Sequence, residues 1–124
     1  MDAILFKQRY DPRRLTADLE AAAAATSWIA KPEKELHFKW SAIPLHAVRG
    51  REGLDAVDWH VKEELADDCA PTPFMEYCPY VRELLGALPA SKLRVRFMKL
   101  EAGGRIGRHR DRLYGWELPI LRSR

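Results

Sequence analysis

The fold is decided by the stretch Lys92-Leu93-Arg94-Val95-Arg96-Phe97-Met98-Lys99-Leu100, in which apolar and polar residues alternate. Successive side chains of a β-strand point to opposite faces, so this alternation predicts a strand with one buried side. The apolar face would hold Leu93, Val95 and Phe97, and the opposite face Arg94, Arg96 and Met98. The four residues that follow, Glu101-Ala102-Gly103-Gly104, predict a turn, since glycine readily supplies a positive φ.

A second strand is predicted over residues 105–111, antiparallel to the first, and it carries a histidine and an aspartate two positions apart, His109 and Asp111. Residues i and i+2 of a strand share a face, so an imidazole nitrogen and a carboxylate oxygen can reach one ion. Iron(II) sites built from two histidines and one carboxylate use such ligands. Alone, the pair is also typical of an exposed aspartate bound to neighbouring arginines.

The N-terminal half contains one clear helix and one clear strand. Residues 3–9 suit a short strand. Asp11 is a good N-cap and Pro12 fits the first helical position, which predicts a helix from Pro12 to about Ala25. Residues 26–35 predict a surface connection. Residues 36–45 alternate and predict a half-buried strand, with Ser41 on its polar side and Pro44 at an edge or a bulge.

The middle of the chain is less regular. Residues 48–69 are polar, and 59–65 fit a short helix or a strand equally well. Residues 71–73 predict a stiff connector, and Pro79 begins a predicted helix that ends near Gly86. Residues 116–122 start as another strand. We expect the tryptophans to pack in the core. His37, His46 and His60 are expected at the surface or at the edge of the core.

Composition favours one soluble globular domain over residues 1–124. Hydrophobic content is 47% and charged content 31%, and no apolar run reaches the roughly 18 residues that cross a bilayer. The first residues lack the positive charge of a signal peptide, so we expect a cytoplasmic protein without membrane association. Cys69 and Cys78 form no zinc or disulfide pattern, and we expect two reduced thiols.

Positive charge is concentrated at one end of the sequence. Residues 92–124 contain ten Lys/Arg against three Asp/Glu, whereas residues 1–91 contain eleven against fifteen. Such a segment can bind an anionic metabolite or nucleic acid, or it can be solvated surface. Nucleic acid is disfavoured because no recognised binding motif accompanies the arginines.

The order of these features resembles the aspartyl/asparaginyl/prolyl β-hydroxylase-like family of iron(II)/2-oxoglutarate-dependent dioxygenases. The likeness rests on a helix beginning at Pro79, the strand 93–100, the glycine turn and the His109-Arg110-Asp111 triplet. Residues 11–19 also look like the first helix of bacterial free-proline hydroxylases in this family. The resemblance implies an α+β chain containing a partial double-stranded β-helix, or jelly roll, with helices packed outside.

The resemblance also implies site residues and cosubstrates. His109 and Asp111 would bind iron(II), 2-oxoglutarate would be the cosubstrate, and Arg96 would hold a substrate carboxylate, with Arg94 as second choice. The implied substrate is a free amino acid or a side chain of a peptide. The chain departs from the family pattern in lacking the distal histidine ligand and the 2-oxoglutarate anchor, since no histidine follows His109.

We therefore expect the domain to be incomplete at its C-terminal side and hydroxylation to be impaired. An inactive, truncated paralogue that acts as an interaction module is an alternative, and a basic nucleic-acid binder is a second one. Unpaired strand edges in a partial roll favour pairing with another chain, so we also expect self-association.

Overall fold

A computed structural model describes residues 7–30, 39–55 and 67–105 and shows an α+β architecture. Helices pack on one face of an antiparallel sheet of four strands. In chain order the elements are α1 (Pro12–Ala25), β1 (Ile29–Ala30), β2 (Trp40–Val48), α2 (Glu52–Asp55), β3 (Cys69–Pro71), a 3-10 helix (Pro73–Tyr77), α3 (Pro79–Ala87) and β4 (Val95–Leu100).

Helix α1 begins and ends at the predicted residues. The Asp11 carboxylate accepts hydrogen bonds from the backbone N–H groups of Arg13 and Arg14, at 2.9 and 3.4 Å, and Pro12 occupies the first turn. These contacts satisfy N–H groups that have no partner within the helix. Ala22 lies on the inward side of α1, is fully buried and belongs to the main core.

Strand β2 is the centre of the sheet. One edge pairs with β4 over residues 40–46, and the other pairs with β1 near Ala42 and with β3 from His46 to Val48. The helices cover the face that carries Ile43 and Leu45, while Trp40 and Ala42 form a second apolar cluster on the other face. Both faces are therefore covered, and the prediction of a half-exposed strand is wrong in this respect.

For two residues of β2, the structure corrects the expectation for Ser41 and confirms the one for Pro44. Ser41, expected on a polar side, is only 6% exposed. Pro44 lies at a bulge, as predicted, but it is fully buried in the central strand and not at an edge. The missing N–H of proline is tolerated there because pairing is irregular between Pro44 and His46.

The connector predicted at residues 71–73 contains regular structure. Residues 69–71 form β3 and the 3-10 helix starts at Pro73. Between them Thr72 is 3% exposed and extends the pairing, because its N–H donates to the Leu45 carbonyl at 2.9 Å and its hydroxyl to the Pro44 carbonyl at 2.7 Å. Three residues are too few for alternation to indicate a strand, which is why the sequence did not predict β3.

Helix α3 confirms the helix predicted from Pro79, and it docks on α1 through its first turn. Asp18 of α1 is 4% exposed, and its carboxylate accepts the Val81 N–H at 2.7 Å. The Tyr80 hydroxyl accepts the Asp11 N–H at 2.9 Å, and the Arg14 guanidinium lies 4.0 Å from the Tyr80 ring centroid. Each helix therefore satisfies N–H groups at the start of the other.

Strand β4 confirms the alternation from which the fold was inferred, although it begins at Val95, two residues later than expected. Val95 and Phe97 pack against the main core, as predicted. The turn after it is also confirmed: Gly103 has a φ of 77°, and the Gly104 N–H donates to the Glu101 carbonyl at 2.9 Å. Both cysteines are free thiols.

Other predictions fall partly or wholly outside the described residues. These are the strands expected over residues 105–111 and 116–122, the undecided segment 59–65, and most of residues 3–9, of which 7–9 are described and form no strand. Within residues 26–35, expected to be a surface connection, Ile29 and Ala30 form β1. Among the helices of the described ranges, none combines the length and the apolar character needed to span a bilayer.

Candidate functional site

The candidate site is centred on the face of β4 that points away from the helices. Arg96 lies on this face because its neighbours Val95 and Phe97 point into the main core. It pairs in register with Pro44 of β2, so the two residues are opposed across the strand pair. Arg96 is half-buried, as expected for a long side chain that lies along an apolar surface.

Trp40 is an aromatic contact of Arg96. The Arg96 Cζ lies 5.2 Å from the centroid of the Trp40 ring, within the range of a cation–π interaction. Trp40 is itself only 5% exposed and belongs to the second apolar cluster with Ala42, against which Ile29 packs. The guanidinium therefore lies beside a buried, well-supported ring.

Arg94, the second predicted carboxylate ligand, lies just before β4 and is half-buried. The segment that holds it is attached to β2 by His46, whose Nδ1 is 2.8 Å from the Leu93 carbonyl oxygen. This contact requires Nδ1 to carry the proton, because a carbonyl can only accept. His46 thus lies at the edge of the core, as expected, and its ring fixes the start of β4.

His109 and Asp111, the predicted metal ligands, lie outside the described residues. Within 7–30, 39–55 and 67–105, no group of three or more His, Cys, Asp or Glu side chains could hold a metal ion. Burial, followed by the nearby charge of Asp18, raises the pKa of Cys78 to about 11, so its thiol stays protonated and is a poor ligand. The metal site predicted from the sequence rests on His109 and Asp111, whose imidazole and carboxylate donors suit iron(II).

The turn after β4 is bound to the residue that precedes β2. Glu101 donates its N–H to the Lys39 carbonyl at 2.9 Å, next to the start of β2, and accepts the Gly104 N–H from the other side of the turn. The chain is thereby held against β2 as it reverses direction. The described part of the site ends at Arg105, which is exposed.

Sequence reasoning missed the contribution of Trp40. It was interpreted as a packing residue, and its burial agrees with that interpretation, but the ring also contacts Arg96. The two residues are 56 positions apart and meet because β2 pairs with β4 in one particular register. The alternation at residues 36–45 and 93–100 indicated two strands, but nothing in it indicated that they are neighbours.

Comparison with known proteins adds no relative, since no family model, no curated protein and no solved structure matches the chain.

Proposed function

We propose that this chain carries part of the active site of an iron(II)/2-oxoglutarate-dependent hydroxylase that acts on a free amino acid or a peptide side chain. Arg96 would bind the substrate carboxylate, with Arg94 as an alternative, and His109 and Asp111 would bind the metal. The proposal rests on the family resemblance. The observation that carries it is the position of Arg96 on the face of β4 opposite the helices, one turn before the His-Arg-Asp triplet.

The turn at residues 101–104 supports this grouping, because a reversal of the chain there is what the predicted hairpin needs. A strand over residues 105–111 antiparallel to β4 would bring His109 and Asp111 beside the strand that carries Arg96. We propose the pairing in which the three side chains share a face, as directly opposed residues of an antiparallel pair do.

The reaction proposed is the coupled oxidation of two compounds by dioxygen. Iron(II) with bound 2-oxoglutarate supplies the oxidising chemistry, and the balance is R–H plus 2-oxoglutarate plus O₂ giving R–OH, succinate and CO₂. The guanidinium of Arg96 would orient the substrate through two parallel N–H donors to its carboxylate. A partly buried position strengthens this contact, because water competes less with the carboxylate.

The arginines around the triplet support a competing interpretation. Asp111 is flanked in sequence by Arg110 and Arg112, with which it can make ion pairs, and arginines near a cation weaken its binding. This is the arrangement expected of the inactive interaction module. The third metal ligand is not identified among the described residues. The hydroxylase proposal therefore includes a jelly roll that is completed by a partner chain or by the rest of this domain.

Anaerobic titration of the full chain with iron(II) in the presence of 2-oxoglutarate tests the proposal. A visible charge-transfer band should form in the wild type and disappear in His109→Ala and in Asp111→Ala. His60→Ala is the matched control, since this histidine lies outside the motif, and it should retain the band. Absence of the band in the wild type would contradict an active enzyme and favour the interaction module.

A separate measurement addresses the nucleic-acid alternative. Binding through phosphate contacts weakens steeply as salt is added, because neutralised phosphates release their counterions. Fluorescence anisotropy with a labelled duplex at increasing salt would reveal such a dependence. Binding that is absent, or unchanged between low and moderate salt, would remove this alternative without affecting the hydroxylase proposal.

A further inference from the structure

We infer that Trp40 is a positioning residue for Arg96: its ring lies beside the guanidinium and restricts where that group can lie, which orients it for a carboxylate. The inference rests on the proposed role of Arg96 and goes beyond it by assigning a function to a buried residue of another strand. It rests on geometry within the described residues.

The two side chains meet across a diagonal of the sheet. Trp40 opposes Leu100 and Arg96 opposes Pro44, so the two residues are four strand positions apart, about 13 Å along the strand. Ala42 lies between them on the same face and is fully buried. Because its methyl group is small, the indole and the guanidinium can both extend over it and reach the observed 5.2 Å.

A cation–π contact is compatible with carboxylate binding. A ring that contacts a guanidinium through its flat face leaves the N–H groups in the guanidinium plane for a carboxylate, so the two contacts can use different surfaces of the same group. An arginine that is already held in position loses less conformational freedom when its ligand binds. The affinity for the carboxylate should therefore depend on Trp40 even though this side chain need not touch the ligand.

A second cation–aromatic pair in the molecule provides an internal control. Lys99 Nζ lies 5.1 Å from the Trp28 ring centroid and makes a 2.9 Å ion pair with Glu101. Trp28 packs against the main core, on the helix side of the sheet. Removing its ring perturbs a similar contact without changing the surroundings of Arg96.

The first experiment titrates the full chain, without added metal, with sodium acetate and follows by NMR both the Arg96 Nε–Hε signal and the backbone amide signals of β4, which are also present in Arg96→Gln. In Trp40→Leu we expect acetate to bind about 3- to 10-fold more weakly, the range expected for a cation–π contact, and the Arg96 signal to show greater mobility. Trp40→Phe should lose less acetate affinity than Trp40→Leu, because phenylalanine keeps an aromatic ring. Trp28→Leu should bind acetate like the wild type, and Arg96→Gln should not bind it at this site.

The second experiment separates positioning from packing. Replacing tryptophan by fluorotryptophans of increasing fluorination weakens the ring's attraction for cations while nearly preserving its shape. Acetate affinity should fall progressively along this series in the wild type and stay constant along the same series in Trp40→Phe. This measurement tests the role of the ring even if Trp40→Leu fails to fold, because the fluorinated protein keeps a tryptophan of nearly the same shape.

The outcomes distinguish this inference from the proposed function. An unchanged affinity along the fluorinated series, together with loss of binding in Arg96→Gln, would overturn the role of Trp40 and leave that of Arg96 standing. If Arg96→Gln binds acetate as tightly as the wild type, the carboxylate-binding role of Arg96 fails, and the inference about Trp40 fails with it.

Discussion

Cys78 is completely buried at the junction of the 3-10 helix and α3, where its thiol contacts the backbone carbonyl of Asp18 at 3.6 Å. Burial is the main reason that its pKa rises from 9.0 to about 11; the charge of Asp18 adds to the rise and that of Arg82 opposes it. An ionised thiolate is therefore disfavoured in the folded protein but not in the unfolded chain.

This difference predicts a loss of stability in alkaline solution. Below pH 9 the thiol is protonated in both states and its contribution to folding is complete. As the pH rises towards 11 the unfolded chain loses the proton while the folded chain keeps it, so the free energy of unfolding falls. Urea unfolding at a series of pH values should show a smaller alkaline loss in Cys78→Ala than in the wild type.

Cys69→Ala is the matched control, because this thiol is only half-buried, and its pH dependence should follow that of the wild type. Equal alkaline losses in Cys78→Ala and the wild type would contradict the raised pKa.

At the scale of elements, Thr72 completes the edge of β2 between β1 and β3. Its hydroxyl satisfies the carbonyl of Pro44 in a buried position. Thr72→Val keeps the shape but leaves this carbonyl without the hydroxyl, which should cost about 1–3 kcal/mol of unfolding free energy. Thr72→Ser keeps the hydroxyl and should be destabilised less. Urea denaturation of the three proteins gives the comparison, and a loss in Thr72→Ser as large as that in Thr72→Val would contradict the dominant role of the hydroxyl.

The elements also differ in how well the sequence predicted them. Helices α1 and α3 were predicted because their signals are local: Asp11 before Pro12, and Pro79 before an apolar face. Strand β4 and its turn were predicted because alternation and glycine are local signals too. The burial of β2 on both faces, and the contact of Trp40 with Arg96, depend on pairing between strands far apart in the sequence, which no local pattern encodes.

At the scale of the whole molecule, self-association through the sheet remains a prediction, and two side chains are the first to test. Met98 and Leu100 of β4 are 47% and 48% exposed on the face that carries Arg96. Sedimentation velocity over a wide range of concentration should show association of the wild type, and Met98→Lys with Leu100→Lys should reduce it. A wild-type protein that sediments as a monomer throughout would contradict the prediction.

The candidate site could be predicted from the sequence only in outline. Arg96 and the turn lie where the pattern placed them, because both belong to one continuous stretch of chain. The aromatic surroundings of Arg96 come from β2, and their identification required the register in which Trp40 opposes Leu100. The relation of His109 and Asp111 to this face stays a prediction, and the iron titration above tests whether the two residues bind metal.

The central position of β2 also has a consequence for the order in which the molecule forms. Its partner β1 is synthesised before it, but β3 and the longer partner β4 emerge later. Contacts between α1 and α3 also join residues far apart in the sequence, about seventy positions for Asp11 with Tyr80. Such long loops slow the search for the native pairing. A ribosome-bound chain should therefore leave one edge of β2 unpaired until residues 95–100 have left the exit tunnel, and an unpaired edge can pair with another chain.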